Sequence, residues 1–196
     1  IGHAEAMAMR ISYSGEMAWE LHIPNEQLYL MWTELMAAGE GFGIKPFGLY
    51  ATESMRLEKG YRHWKADLMV EFNPAESALE RFYTRDKENY LGKDGFESQL
   101  QQGLRKRFVT MVVDADHAPA HAGDPIHYQG RQIGSVPSGG YGHRVEANIA
   151  YGFIEPDIGD DAAFSLGLLV LDCSAKITTE ALYEHQNKKV KGDRSA

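Results

Sequence analysis

Arg105-Lys-Arg-Phe-Val-Thr-Met-Val-Val-Asp114 is the stretch on which the architecture turns. Three cations lead into a short, largely apolar run from Phe108 to Val113 that is rich in β-branched residues, and this reads as a strand. Downstream the chain is a succession of short strands broken by Gly, Pro, Asp and His. The pattern places them at 125–128, 132–136 after a Gln129-Gly130 turn, 147–153, 168–171 and 174–179. Evenly spaced short strands of this kind build a small antiparallel barrel or sandwich. Ser138-Gly139-Gly140 has no strand-to-helix context and no following lysine, so it reads as a barrel turn rather than a phosphate loop.

Upstream of Gly103 the periodicity changes from two to nearly four. Helices are expected at 25–38, 49–59 and 93–102. Asn25 is a suitable N-cap for the first, and Leu28, Trp32, Leu35 and Met36 form its expected buried stripe. Gly60 and Gly103 follow the other two as stop signals. Residues 61–67 read as an irregular aromatic-basic segment. Ahead of the helices, residues 7–24 read as a β-hairpin turning at Ser14-Gly15-Glu16, with Trp19, Leu21 and Ile23 on one face and Glu20 on the other. The fold class is therefore α+β, divided near Gly103 into residues 1–103 and 104–196. The polar residues 184–196 are expected to fray.

Composition removes several functions. With 28 acids against 20 bases the net charge is −8, which argues against a nucleic-acid-binding surface. The basic run Arg105-Lys106-Arg107 reads as a solvated strand entrance, with contact to an anionic ligand group such as phosphate as the alternative. No apolar run is long enough to span a bilayer, so no membrane partner is expected. The single cysteine, Cys173, reads as a small buried hydrophobe and fits a reducing compartment. His117 and His121 stand four apart, but Pro119 between them denies the helix that would align them on a metal, and no metal site is expected. The sequence opens on Ile1 and becomes strand-like within a few residues, which reads as a natural chain beginning further upstream.

Three stretches carry a family likeness. They are Arg10-Ile-Ser-Tyr-Ser-Gly-Glu-Met-Ala-Trp-Glu-Leu-His-Ile-Pro24, the segment from Gly48 through Met55-Arg-Leu-Glu-Lys-Gly-Tyr-Arg-His-Trp64, and Tyr90-Leu-Gly-Lys-Asp94 followed by the all-β region with Ser138-Gly-Gly-Tyr-Gly-His-Arg144. Their order and spacing resemble the glycine-cleavage T-protein (aminomethyltransferase) family. The second stretch is most similar to the branch fused behind a flavin domain, the dimethylglycine and sarcosine dehydrogenases.

The resemblance implies a cloverleaf around a folate pocket. Residues 1–103 would supply the second half of the folate-binding α+β region and residues 104–196 the C-terminal barrel. It implies tetrahydrofolate as cofactor, FAD in a missing upstream domain, and a small N-methyl amine as substrate. The family's catalytic acid would lie before Ile1, so no catalytic residue is assigned within this chain, and the chain alone is expected to be inactive. A bacterial cytoplasm is the expected location, with the mitochondrial matrix as the other option. Two rivals stand beside the dehydrogenase reading: a stand-alone aminomethyltransferase or folate-dependent demethylase, and a non-catalytic folate-binding or assembly protein on the same fold.

Among candidate cofactor ligands, Glu20 leads. A carboxylate accepts the ring N–H and exocyclic amine of a pteridine as a charge-assisted pair, and a strand holds it rigidly. It matches the family's pteridine-binding glutamate. Tyr13 matches the tyrosine that opens the family's hairpin turn. Tyr61 aligns with an aromatic near folate, Trp64 would wall the ring, and Arg62 would meet the folate glutamate tail. The T-protein arginine on the second helix is replaced by Thr52 here. Arg56 lies one turn on as a possible substitute, although Glu53-Arg56 is also an ordinary i,i+3 ion pair. His63 has no evident nucleophile to serve.

Overall fold

The computed structural model describes residues 4–84 and 86–192. Among them the chain is α+β. A two-stranded hairpin and a set of helices come first, followed by a closed antiparallel barrel.

The barrel follows from alternation. Strand β3 (Arg107–Val113) buries Val109, Met111 and Val113 and turns the residues between them outward. It is followed by β4 (Pro125–Tyr128), β5 (Arg131–Ser135), β6 (Gly139–Gly142), β7 (Ala147–Ile154), β8 (Phe164–Leu168) and β9 (Leu171–Thr178). The hydrogen-bonded order is β3-β9-β8-β4-β5-β7, and β3 pairs again with β7, which closes six strands on themselves. β6 is added outside β7, with Gly139 opposite Ala150. Ile126, Ile133, Ile154, Leu166 and Leu168 fill the interior beside Met111. Cys173 is buried among them, as its sequence setting indicated.

Two strand readings need correction. The apolar run 168–171 is a turn, not a strand. β8 ends at Leu168, Leu169 adopts a left-handed φ of 57°, and β9 begins at Leu171. Apolar residues at a tight turn carry no sequence signal. Conversely, Ser138-Gly139-Gly140 leads into a strand rather than forming only a turn. Glycine is needed there because a Cβ at 139 would sit 2.7 Å from the Ala120 carbonyl oxygen.

Ahead of the barrel, β1 (Met7–Met9) pairs antiparallel with β2 (Glu20–His22), Met9 opposite Glu20. The hairpin is thus shorter than the alternation suggested, and residues 10–19 form a long bent connection. Helix α1 (Leu28–Gly39) follows a 3₁₀ turn at Asn25–Gln27, so Asn25 does not cap it directly. Its expected buried stripe is also revised. Met31 is buried at 1%, whereas Leu28 is 48% and Trp32 53% exposed, because no described element covers that face.

Helix α2 (Leu49–Glu58) packs on β6 and β7 and buries Arg56, Leu57 and Glu58 at its C-terminal end. Gly60, at φ 76°, stops it. The Gly60 N–H donates to the Leu57 carbonyl and the Tyr61 N–H to the Arg56 carbonyl, the paired bonds of a Schellman cap. Helix α3 (Lys93–Gln102) ends at Gly103 as expected.

The tail also differs from expectation. Residues 184–192 do not fray. They include a short helix α4 (Lys188–Lys191), and Arg10 Nη2 donates to the Val190 carbonyl at 3.1 Å. Residues 193–196 of the tail lie outside the described residues.

The basic run at the barrel entrance is only partly solvated. Arg105 pairs with Glu76 at 2.7 Å, Lys106 donates to the Ile133 carbonyl, and Arg107 pairs with Asp160 at 2.7 Å. Glu76 is itself buried and held at a pKa of about 2, first by hydrogen bonds from Arg105 and then by the Asn73 and Arg105 backbone N–H groups.

Candidate functional site: the hairpin turn against the end of α2

The connection between β1 and β2 is organised by its own hydroxyls. Ser12 Oγ accepts the Gly15 N–H at 3.1 Å and Ser14 Oγ accepts the Glu16 N–H at 3.4 Å. Gly15 is buried at φ 79°, and a Cβ there would lie 2.9 Å from the Lys59 side chain, so the turn presses directly on the end of α2.

That contact brings Tyr13 and Tyr61 together. Their rings are stacked, 6.2 Å between centroids and 7° between planes. The Tyr13 hydroxyl donates to the Arg62 carbonyl at 3.1 Å. Burial raises the pKa of both phenols, so each stays a neutral hydrogen-bonding group.

Beneath the pair lies a polar hub. Arg56 is 2% exposed. Its Nε donates to Glu53 at 2.8 Å and its Nη2 lies 2.7 Å from the same oxygen. Its Nη1 meets Asp67 at 2.8 Å, Ser138 at 3.1 Å and the Tyr61 carbonyl at 3.3 Å. Every guanidinium nitrogen is therefore engaged internally. This is the ion-pair reading of Arg56, and Nη2, with Glu53 as its partner, is the least committed of its nitrogens. Asp67, fully buried, also accepts the His63 N–H at 2.6 Å and the Ser138 hydroxyl. The Tyr151 hydroxyl reaches the Leu57 and Tyr61 carbonyls at 3.1 Å, and burial raises its pKa.

A second clamp was not found from sequence. Arg144, between β6 and β7, binds the buried Glu58 of α2, Glu16 of the hairpin turn at 2.9 Å, and the Ser14 and Met55 carbonyls. Its guanidinium lies 3.6 Å from the ring centroid of Tyr183, whose hydroxyl donates to Glu16. Hairpin, α2, barrel and tail thus converge on one side chain. Arg144 ends the Ser138–Arg144 stretch, but its hydrogen-bond partners are 86 or more positions away in sequence, and no local spacing announces them.

The remaining candidates are placed differently. Glu20 stands on β2 with its side chain 52% exposed, and its charged neighbour is His22 with Nε2 at 3.5 Å. It is not sealed in a buried ion pair, and no hydrogen bond joins it to the tyrosine pair. Trp64 is 71% exposed and lines a separate depression with Leu68, Val70 and Phe72. It therefore does not join Tyr13 and Tyr61. His63 has Nε2 3.8 Å from Glu53, and its buried Nδ1 has no hydrogen-bond partner. No group of three or more metal-ligating side chains is assembled among the described residues.

The reduced pterin that the family resemblance implies would need an acceptor for adjacent N–H groups and an aromatic surface, and residues of both kinds are present. Glu20 offers an acceptor-only carboxylate free of strong partners, which is what a pair of adjacent N–H groups requires. The stacked phenols provide a fixed aromatic surface. Nothing among the described residues forms a strand–Gly-rich turn–helix cradle for a dinucleotide.

Comparison with known proteins agrees with this architecture. The family model of the GCVT N-terminal domain matches residues 1–87, and that of the glycine cleavage T-protein C-terminal barrel domain matches residues 106–184. A crystal structure of glycine cleavage system aminomethyltransferase T from Bartonella henselae shares the fold, with a TM-score of 0.82 at 22% identity over 91% of this chain and 50% of that one. The chain belongs to the glycine cleavage T-protein family. Among its relatives, human mitochondrial sarcosine dehydrogenase is 33% identical over 94% of this chain and 21% of its own length. Mouse mitochondrial dimethylglycine dehydrogenase is 32% identical over 78% and 18%. The aminomethyltransferase of Caldanaerobacter subterraneus subsp. tengcongensis is 31% identical over 79% and 41%. The chain thus spans well under half the length of these curated relatives.

Proposed function

We propose that this chain is the tetrahydrofolate-binding, one-carbon-transfer part of a flavin-dependent enzyme of the dimethylglycine or sarcosine dehydrogenase type, yielding methylene-tetrahydrofolate. The observation that carries the reading is the exposed, weakly partnered carboxylate of Glu20 on β2, in a chain aligned along 94% of its length with a sarcosine dehydrogenase. In this reading Glu20 accepts the pterin N–H groups and Tyr13 and Tyr61 present the aromatic wall. Arg56 and Asp67 fix the loop that carries Tyr61, and Arg144 fixes the turn that carries Tyr13. The protein's contribution is positioning: a rigid acceptor on a strand and phenols locked by their own hydrogen bonds. When bound, tetrahydrofolate supplies the nitrogens that take up the one-carbon unit. The flavin of this reading is assigned to sequence outside these 196 residues, as is the catalytic acid. The substrate is a small N-methyl amine, and the location is a bacterial cytoplasm or mitochondrial matrix.

A stand-alone aminomethyltransferase is the second reading, supported by 31% identity to a bacterial enzyme of that name. Oxidation of dimethylglycine or sarcosine by the purified intact protein separates the two.

Calorimetric titration of the intact protein with tetrahydrofolate tests the binding reading. Glu20→Gln keeps the shape but turns one acceptor oxygen into a donor. Its affinity is expected to fall by about tenfold or more, equivalent to roughly 1.4 kcal/mol. Unchanged affinity would remove Glu20 from the site. The isolated 196-residue chain is expected to bind weakly, because in this reading part of the pocket lies outside it, which suits the exposed Trp19, Trp32 and Phe42 ahead of the barrel. Submicromolar binding by that chain alone would contradict this.

A further inference from the structure

Residues 183–192 are fastened differently from the chain before them. Leu182 packs beside Leu57, Ile149 and Tyr151, and the Tyr183 N–H donates to the Glu58 carbonyl at 2.9 Å. After Leu182, none of residues 183–192 is buried. What holds them is polar and aimed at the hairpin turn. The Tyr183 hydroxyl donates to Glu16 and accepts from Lys189 Nζ at 2.7 Å, and the same ammonium stands 3.8 Å from Glu16. Arg10 donates to the Val190 carbonyl, and a Cβ at Gly192 would lie 2.8 Å from Arg10 Nη2. Arg144 completes the grip by binding both Glu16 and the Ser14 carbonyl. Tyr13 lies between Arg10 and Ser14, so the segment takes hold of the chain on both sides of it.

The backbone of this segment is strained. Glu184 has φ 50° and Asn187 φ 57°, left-handed values that are uncommon outside glycine. Lys59 holds Glu184 there, donating to its carbonyl at 2.5 Å and lying 3.5 Å from its carboxylate. The Glu184 carboxylate also accepts the Lys188 and Lys189 backbone N–H groups. Such a conformation persists only while its surroundings fix it. A stretch with no buried residue, a strained backbone and polar fastenings belongs to the low-stability end of a protein, where local opening comes well before global unfolding.

We propose that residues 183–192 are a releasable strap that sets the position of Tyr13. Docked, the strap holds the turn against the end of α2, where Tyr13 stacks on Tyr61. Released, it leaves the turn with Arg144 as its remaining clamp and frees Arg10 altogether. Tyr183 is then a positioning residue, acting through Glu16 and Arg144 rather than by contact with a ligand. The identity of the ligand at the Tyr13–Tyr61 face rests on the folate reading given above. A ligand that needs the stacked pair favours the docked strap, and by linkage the docked strap favours that ligand by the same factor.

The test is hydrogen exchange, read by mass spectrometry on the intact protein with and without tetrahydrofolate. The wild type is compared with Tyr183→Phe, which keeps the ring beside Arg144 but loses the hydroxyl, and with a chain ended after Leu182. Without ligand, exchange in residues 10–19 is expected to rise about tenfold in Tyr183→Phe and further in the shortened chain, with β3 and β7 unchanged. Tetrahydrofolate is expected to slow exchange in residues 183–192 of the wild type, and both variants to bind it about tenfold more weakly by calorimetry. Unchanged exchange of residues 10–19 in both variants overturns the strap. A loosened turn that still binds tetrahydrofolate with wild-type affinity marks the tail as purely structural and overturns its positioning role. If the shortened chain loses its native circular dichroism, Tyr183→Phe decides the outcome. If the wild type binds no tetrahydrofolate, the folate reading fails, while the ligand-free exchange still decides whether the tail fastens the turn.

Discussion

The barrel and the region before it use opposite means of holding shape. Between Arg107 and Thr178 the chain buries a continuous apolar interior, with Met111, Ile126, Ile154 and Leu166 fully shielded. Among the described residues between Ala4 and Gln102, only Ala4, Met31, Leu57 and Ala75 are buried and apolar, while Trp19, Trp32, Phe42 and Tyr50 stand open. The front region is held instead by ion pairs and carbonyl contacts centred on Arg56 and Arg144. The lesson concerns precision. Apolar burial scales with area and tolerates small shifts, whereas a guanidinium bound at several fixed points defines one geometry. The region carrying the candidate folate ligands is the one built by direction rather than by volume.

The contrast can be broken most forcefully at Arg144. Arg144→Ala leaves Glu58, 0% exposed, without its cation, and the loss is expected to be about 3–5 kcal/mol. Urea unfolding measures it, and a loss within experimental error would show that the clamp contributes no stability. In the barrel, Leu166→Ala is expected to cost about 2–5 kcal/mol, with the hairpin's protection from protease unchanged.

An intermediate effect is expected at Glu76. Its folded pKa of about 2 lies below the ordinary 4.5. Its stabilisation is therefore complete above pH 4.5 and is lost as pH falls from 4.5 toward 2. Glu76→Gln should flatten that part of the stability–pH curve, and an unaltered acid limb would remove Glu76 as its source. The smallest effect is expected on the open face of α1. Trp32→Ser should change the stability of this chain by less than about 0.5 kcal/mol, because an exposed side chain has little burial to lose. A loss like that of Leu166→Ala would mean the face is covered in solution.

The legibility of the sequence follows the same division. The strand β3, the barrel class, the helices α2 and α3 and their glycine stops were readable because alternation and caps are local. The turn at Leu169-Val170 and the strand at Gly139–Gly142 were not, since an apolar turn and a glycine strand both look like something else. On α1 the periodicity correctly marks an apolar stripe but does not say whether anything covers it. At the site, Glu20, Tyr13 and Tyr61 came from motif likeness, and the stacking of Tyr13 on Tyr61 needed the fold. The engagement of Arg56 was half visible through Glu53 three residues earlier, whereas Asp67 and Ser138 joined it only in three dimensions. Arg144 was invisible because its carboxylate partners belong to distant segments.

The tail adds a consequence for assembly order. Val190 receives Arg10, and Tyr183 reaches Glu16 across 167 positions of chain. During synthesis the first hairpin therefore emerges long before its fastening exists, and contacts of such wide sequence separation form late. Until residues 183–192 are made, the turn bearing Tyr13 lacks those fastenings and is open to a protease or a chaperone. A chain ending before that segment would keep every barrel strand and lose the fastening of the hairpin.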